Sequence, residues 1–411
     1  MSDANPIQAE LQTNQLRQAL SLFTLILVAA TWPLWNPATP TPDIPWLPFL
    51  VDAPPAIDWI LLLLLGIACL IGLSPSLAPR YLRLQRCCYI IALVGLILLD
   101  QNRFQAWAWE FLLLTGICAT LAPDEAIRTA RWLLCAIYFY SAVTKFDHRF
   151  LTQIAPELVE ALIPFKPSPL ATWPHYLVWL LPLGELAVFA LVVNPRTRRW
   201  GLRASYVMHG MLIYLLGPLR LQHEWGVVLW NTYFLFQNSI LLADDKPTSP
   251  DVASSVIPPT KLATVLSAVL MLYPALGWFG YCDPWPAWIV YSRRPVRVVP
   301  LVHVAHIKAL PDNVQPFVGT PEALSDWAPV NLDAVSFANL HAPLSPAPHY
   351  RAALWMSLSS ELKPDDVGLD IHLPASRFTG EHEVRQLRGR EACSAWANKR
   401  WANTKPRETV P

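Results

Sequence analysis

The sequence predicts an all-α membrane protein with about nine transmembrane helices and a small C-terminal extramembrane α+β domain. Three observations carry that expectation. Of 411 residues, 54% are hydrophobic and only 15% charged, against about 25% charged in soluble domains. The apolar residues gather in runs that recur up to about residue 281 and then cease. Aromatic side chains that favour membrane interfaces are abundant, with 19 Trp, 12 Tyr and 15 Phe.

A spanning helix needs about 20 mostly apolar residues. Stretches of that kind lie at roughly 18–36, 58–74, 86–100, 106–122, 130–146, 174–193, 204–221, 225–243 and 260–281. The start of the chain lacks the basic region and small-residue cleavage site of a signal peptide, so the first run is expected to be a retained span. Between residues 37 and 57 lie several prolines, Asp43 and Asp52, with no Lys or Arg. The next loop carries Arg80, Arg83 and Arg86. Arg128 and Arg131 precede the fifth span, Arg196, Arg198, Arg199 and Arg203 separate the sixth and seventh, and Lys246 and Lys261 flank the loop before the ninth. If nine spans alternate, every basic cluster falls on one side, and the opposite loops hold only scattered cations such as Arg103, Lys166 and Arg220. The positive-inside rule then predicts a multi-pass protein of the cell membrane with its N-terminus cytoplasmic and its C-terminal domain outside.

The composition changes after Trp288, which divides the chain into a transmembrane domain, 1–284, and an extramembrane domain, 285–411. Val296–Val304 is β-branched and strand-like. Ala352–Leu362 suits a strand or short helix, Leu369–Leu373 alternates, and Glu391–Asn403 reads as a helix bearing Trp396 and Trp401. The net charge of +1 gives no sign of a nucleic-acid partner; the lipid bilayer is the partner expected. Seven cysteines, most of them in apolar runs and none in CxxC spacing, suit buried packing rather than redox or metal chemistry. His303 and His306 stand three apart in a strand-like segment and would point to opposite faces, so no metal site is expected there.

A charged side chain inside a span costs at least about 2.5 kcal/mol on insertion scales, which makes each one a functional candidate. Asp100, Glu110, Lys145, Glu185 and His209 are such residues. Tyr138, Ser141 and Lys145 follow one another at i, i+3 and i+7 on one helical face. A partly desolvated lysine there suits a base, and a lysine reaching the outer interface beside Asp147 is the plainer alternative. Glu185 and His209, on the next two spans, suit proton transfer or an interhelical hydrogen bond. Asp100 and Arg103, followed by Trp107, Trp109 and Glu110, suit an interface loop at the rim of an outward pocket. No Walker loop, GxGxxG, HExxH or GxSxG motif occurs.

Tyr138–Asp147 resembles the Tyr-Phe-x-x-(Gly/Ala)-Val-x-Lys-(Leu/Phe)-Asp motif of the vitamin K-dependent γ-carboxylase-like transmembrane (HTTM) superfamily. Leu99-Asp100, the charged turn between the sixth and seventh spans and Ser205–His209 extend the resemblance over roughly residues 90–240. The resemblance implies a reduced quinone, such as vitamin K hydroquinone, as cofactor and a protein or peptide substrate. It makes Lys145 the catalytic base; in the quinone-enzyme reading His209 and Glu185 are further catalytic groups lining the pocket, and Tyr138 and Ser141 are cofactor-binding groups. The sequence departs from the family in having no histidine between Leu99 and Arg131 and in its shorter C-terminal region. A DoxX-like, redox-associated membrane family shares a helix that ends in a similar lysine. Two readings therefore stand: a quinone-using membrane enzyme, and a non-enzymatic membrane scaffold or redox-associated DoxX-like subunit.

Overall fold

The computed structural model describes residues 6–162, 174–242, 259–292, 295–399 and 402–407. Lys166, Lys246 and Trp401, which entered the sequence reading, lie outside the described residues. The chain is mostly helical, with a small antiparallel sheet toward its C-terminal end. Among the described residues a helix stands at each of the nine apolar stretches. These are α1 (Pro6–Ala30), α2 (Ala56–Gly72), α3 (Pro79–Leu99), α4 (Ala106–Thr120), α5 (Pro123–Thr144), α6 (Leu180–Val193), α7 (Arg198–Leu216), α8 (Trp225–Leu242) and α9 (Lys261–Leu272). Local chemistry sets several of their ends. Prolines open α3 and α5, where a missing N–H is no loss, and Asp124 and Glu125 complement the positive end of α5. The Thr260 hydroxyl caps α9 by accepting from the Ala263 N–H at 3.3 Å.

Among the described residues two helices, α3 and α9 with its continuation to Phe279, are long and apolar enough to cross a membrane. Helices α2, α4 and α6 are apolar but shorter. The other four are long but carry polar residues along their length: Glu10 and Arg17 in α1, Arg128 and Arg131 in α5, Arg199 and Arg203 in α7, and Asn231, Gln237 and Asn238 in α8. Ile60, Leu63 and Leu70 on α2, and Val265, Val269 and Leu272 on α9, are each more than half exposed. Aliphatic faces of that extent suit a hydrocarbon surrounding.

The chain packs as two compact units of discontinuous segments. The first comprises Met1–Leu27, Gly66–Ile90 and Trp109–Ser292. In it α5 packs on α6, α8 and α9, and α7 packs on both α6 and α8. The second comprises Val28–Leu65, Ile91–Ala108 and Arg293–Pro411. Its sheet has the order β2-β1-β3-β4, with β1 (Arg297–His303), β2 (Trp327–Pro329), β3 (Val367–His372) and β4 (Val384–Arg388), all neighbours antiparallel. Helices α10 (Leu332–Leu340), α11 (Pro348–Leu358) and α12 (Arg390–Ala397) complete it. Val298, Val302, Leu369 and Ile371 meet Tyr350, Leu354 and Trp355 in the core, and the Trp355 indole donates to the Gly368 carbonyl at 3.1 Å.

Strand β1 falls where the β-branched run predicts it, and β3 where the alternation does. Ala352–Leu362 is helical through Leu358, and the helix expected over 391–403 ends at Ala397. The expectation that His303 and His306 diverge is wrong. The strand ends at His303 and a 3-10 turn occupies Val304–Ala309. A 3-10 turn eclipses residues three apart, so the two imidazoles share a side.

The loop expected at an outward rim is instead buried within the second unit. Arg103 is fully buried and does not pair with Asp100. Its Nη1 lies 2.5 Å from Asp58 Oδ1, its Nη2 3.3 Å from Asp43 Oδ2, and its Nε donates to the Leu34 carbonyl. Arg407 closes the network from the C-terminal end, 3.2 Å from Asp43 and 2.8 Å from Asp58. Asp100 accepts from the backbone N–H groups of Ile44 and Asn102.

Candidate functional site

Helix α5 carries the residues that the sequence singles out, and three neighbouring helices meet it with polar partners. Lys145 is the C-cap of α5, where a cation complements the negative end of the helix. Its Nζ lies 2.7 Å from each oxygen of Glu185 on α6 and 2.6 Å from Ser141 Oγ, one turn back on α5. The pair is nearly buried, with side-chain exposures of 7% and 12%. Lys145 therefore neither reaches out to an interface nor pairs with Asp147. Asp147 instead accepts from the Phe150 N–H at 2.9 Å and the Ser292 hydroxyl at 3.1 Å.

Tyr138 lies about two helical turns before Lys145 on α5 and meets His209 of α7 in a second polar cluster. The Tyr138 hydroxyl is 2.9 Å from His209 Nε2, and His209 Nδ1 is 2.9 Å from Asn231 Oδ1. Asn231 sends its amide N–H to the Val227 carbonyl at 2.9 Å, which fixes Oδ1 as the atom facing the imidazole. Nδ1 must then carry the proton, leaving Nε2 to accept from the Tyr138 hydroxyl. That hydroxyl in turn accepts from Asn238 Nδ2 at 2.7 Å. The result is a one-way chain, Asn238 to Tyr138 to His209 to Asn231, joining α5, α7 and α8. The imidazole stacks on Phe234 at 4.6 Å with an 8° tilt, which leaves it little room to rotate.

All five sequence-predicted site residues are thus on facing helices, but in two clusters in which each of the five hydrogen-bonds within the protein. A small cavity in the same unit is lined by Arg17, Ser21, Gln85, Tyr89, Thr115 and Cys118, and none of the five is among its walls. Glu110, on α4, is buried and accepts from the Trp230 indole at 2.7 Å. Sequence reasoning missed Asn231, Asn238 and Trp230 as partners. Their signal was visible: two amides inside the apolar run of α8, each a candidate hydrogen-bonding group in lipid.

Residues 123–224 match the family model described as methylamine utilisation protein MauE, a membrane protein family. The match covers about a quarter of the chain, from α5 through α7. It includes Tyr138, Ser141, Lys145, Glu185 and His209 and ends before Asn231 and Asn238. No curated protein and no solved structure matches the chain. This corrects the assignment to the vitamin K-dependent γ-carboxylase-like superfamily, because Tyr138–Asp147 and Ser205–His209, on which it rested, lie inside the MauE match. The reduced quinone, the peptide substrate and the role of Lys145 as a quinone-directed base came with that resemblance and lose its support. Together with the exposed aliphatic faces of α2 and α9, the match supports an integral membrane protein.

Proposed function

We propose that this chain is a non-enzymatic, multi-pass membrane scaffold or redox-associated subunit that takes part in the utilisation of methylamine or a similar small amine. The carrying observation is that Lys145 is clamped by both oxygens of Glu185 and by Ser141. An ammonium held this way has no lone pair to act as a base, and its three donors are all used. His209, satisfied at both nitrogens, is likewise committed to joining helices. The MauE match supplies the physiological setting.

Nine spans with a cytoplasmic N-terminus and an outer C-terminal domain form the topology of the proposal. In it the segments 37–57 and 100–105 lie outside, opposite the arginine clusters. Contacts within the second unit support this: Gln101 donates to the Asn403 carbonyl at 2.8 Å, and Asn102 accepts from the Ser345 N–H at 2.8 Å. Arg407 reaches Asp43 and Asp58. The C-terminal region therefore packs on the loops that share its side.

The test is deletion and complementation in the native host, with growth on methylamine compared with growth on an unrelated carbon source. Deletion is expected to impair only the former. Lys145→Met alone should lower protein level and growth, while Lys145→Met with Glu185→Leu should restore both, since an apolar pair of similar volume replaces a buried ion pair at little cost. A double variant present at wild-type level yet unable to support growth would assign chemistry to the pair and overturn the scaffold reading. Unimpaired growth of the deletion strain on methylamine would remove the amine setting.

A further inference from the structure

We propose that His303, His306 and Asp366 form a binding site for a divalent transition metal of the zinc class in the C-terminal region. Chain geometry converges the three residues from two neighbouring strands. His303 is the last residue of β1, and His306 follows in the 3-10 turn that eclipses residues three apart. Asp366 immediately precedes β3, and the β1–β3 register pairs Val302 with Val367, which places Asp366 across from His303. One ligand atom from each of the three lies within 4.8 Å of the others.

The arrangement within the cluster points to a cation. Asp366 Oδ2 is buried and accepts no hydrogen bond. It faces His306 Nε2 at 3.6 Å, beyond a hydrogen bond and close to the separation of two ligands on one ion. A buried carboxylate oxygen without a donor is costly, and a metal ion at this place would satisfy it. His303 Nδ1 caps the turn by accepting from the Ala305 N–H at 3.4 Å, a long contact that competes weakly with a metal ion. The His303 and His306 ring centres are 6.0 Å apart. An imidazole nitrogen about 2.1 Å from zinc puts its ring centre roughly 3 Å from the ion, so two rings on one ion stand roughly 5–6 Å apart. Trp327, the β2 residue paired with His303, packs edge-on against that ring at 5.8 Å and restrains it. Two imidazoles and one carboxylate suit zinc or cobalt(II), and three protein ligands leave a position for water or another small donor.

The test uses the untagged full-length protein in lipid nanodiscs, stripped of metal and titrated with cobalt(II), whose d–d absorption reports its ligands. One equivalent per chain is expected. His306→Ala and Asp366→Asn should each weaken binding at least tenfold, and His382→Ala, which alters a separate histidine pair with His372, should leave it unchanged. Copper(II) bound to the wild-type protein should show two coordinated imidazoles by electron spin echo, a readout that needs no variant. The proposal is overturned if the folded wild-type protein takes up no more cobalt than the His303→Ala/His306→Ala/Asp366→Asn variant. Copper echoes from fewer than two imidazoles, or binding lost in His382→Ala but kept in His306→Ala, would also overturn it.

Discussion

Replacing Arg103 with Met tests whether the buried charge network holds the second unit together. The network has two guanidinium groups and two carboxylates, and Arg103 faces both acids, at 2.5 Å from Asp58 and 3.3 Å from Asp43. Met fills much of the same volume but leaves Arg407 alone with two buried carboxylates, at 3.2 and 2.8 Å. It also strips the Leu34 carbonyl of its Nε donor. Breaking a buried ion pair by removing one partner costs about 3–5 kcal/mol. At 1.36 kcal/mol per tenfold change, the opening equilibrium of the second unit rises roughly 10²- to 10⁴-fold. Hydrogen exchange of the β1 and β3 amides in nanodiscs reads that change directly, because those amides are protected by the sheet this unit contains. Arg103→Met with Asp58→Leu returns the charges to one cation and one anion, Arg407 with Asp43. The double variant should therefore recover about 2 kcal/mol or more relative to Arg103→Met alone. An exchange rate within tenfold of wild type for Arg103→Met, or strictly additive effects in the double variant, would refute the reasoning.

Three further outcomes follow from the same structure. Tyr138→Phe removes the hydroxyl that accepts from Asn238 and donates to His209, and should cost about 1–3 kcal/mol in thermal or denaturant unfolding; growth lost without lost stability would contradict a joining role. Burial first, and the nearby Asp43 second, push the Asp100 carboxyl up to about 7 from an ordinary 3.8. The folded chain then binds a proton that the unfolded chain releases between those values, so stability is full at the acid end and declines as pH rises toward 7. Asp100→Asn mimics the neutral form and should flatten that decline, gaining on wild type at pH 8 and not at pH 4; parallel pH profiles would remove Asp100 as its source. A Cβ at Gly277 would come within 2.5 Å of the Ala287 Cβ, whereas one at Gly66 meets nothing within 4 Å. Gly277→Ala should cost about 1–3 kcal/mol by overpacking, and Gly66→Ala in α2 should be neutral or stabilising, as unfolding curves of the two variants would show.

Apolar runs located the helices because lipid and protein core both select them, and proline and charge marked where the runs stop. Strands β1 and β3 were legible from β-branched and alternating residues. Strands β2 and β4 were not, one being three residues long and the other the polar edge sequence Val384–Arg388. The face of α5 bearing Tyr138, Ser141 and Lys145 was legible from spacing, since i, i+3 and i+7 need only a helix. The partners were not. Which helix brings Glu185 to Lys145, or Asn231 to His209, depends on tertiary packing that no local pattern encodes. The segment from Asp100 to Arg103 was misread for the same reason: its partners Asp43, Asp58 and Arg407 lie up to 364 residues apart in the chain.

The arginines of the first unit show how one residue can both mark topology and hold helices. Arg17 on α1 donates to the carbonyls of Gly72 and Ser74, at 2.5 and 2.8 Å, where α2 ends. Arg86 on α3 donates to the Cys118 carbonyl in the last turn of α4, and Arg131 on α5 to the Leu241 carbonyl at the end of α8, at 2.6 Å. Helix C-termini leave carbonyls without intrahelical donors and carry partial negative charge, so a guanidinium placed there satisfies both needs at once. In the proposed topology these three helix ends all lie on the cytoplasmic side, where the positive-inside rule places the same cations. Charge bias and capping should therefore separate under substitution. Arg131→Lys keeps the positive charge but replaces a planar fork with a single flexible ammonium, and should lower stability while leaving orientation unchanged. Arg131→Leu removes both and should destabilise further; if Arg131→Lys were as stable as wild type and only Arg131→Leu lost stability, the charge alone would account for the residue and the capping argument would fail.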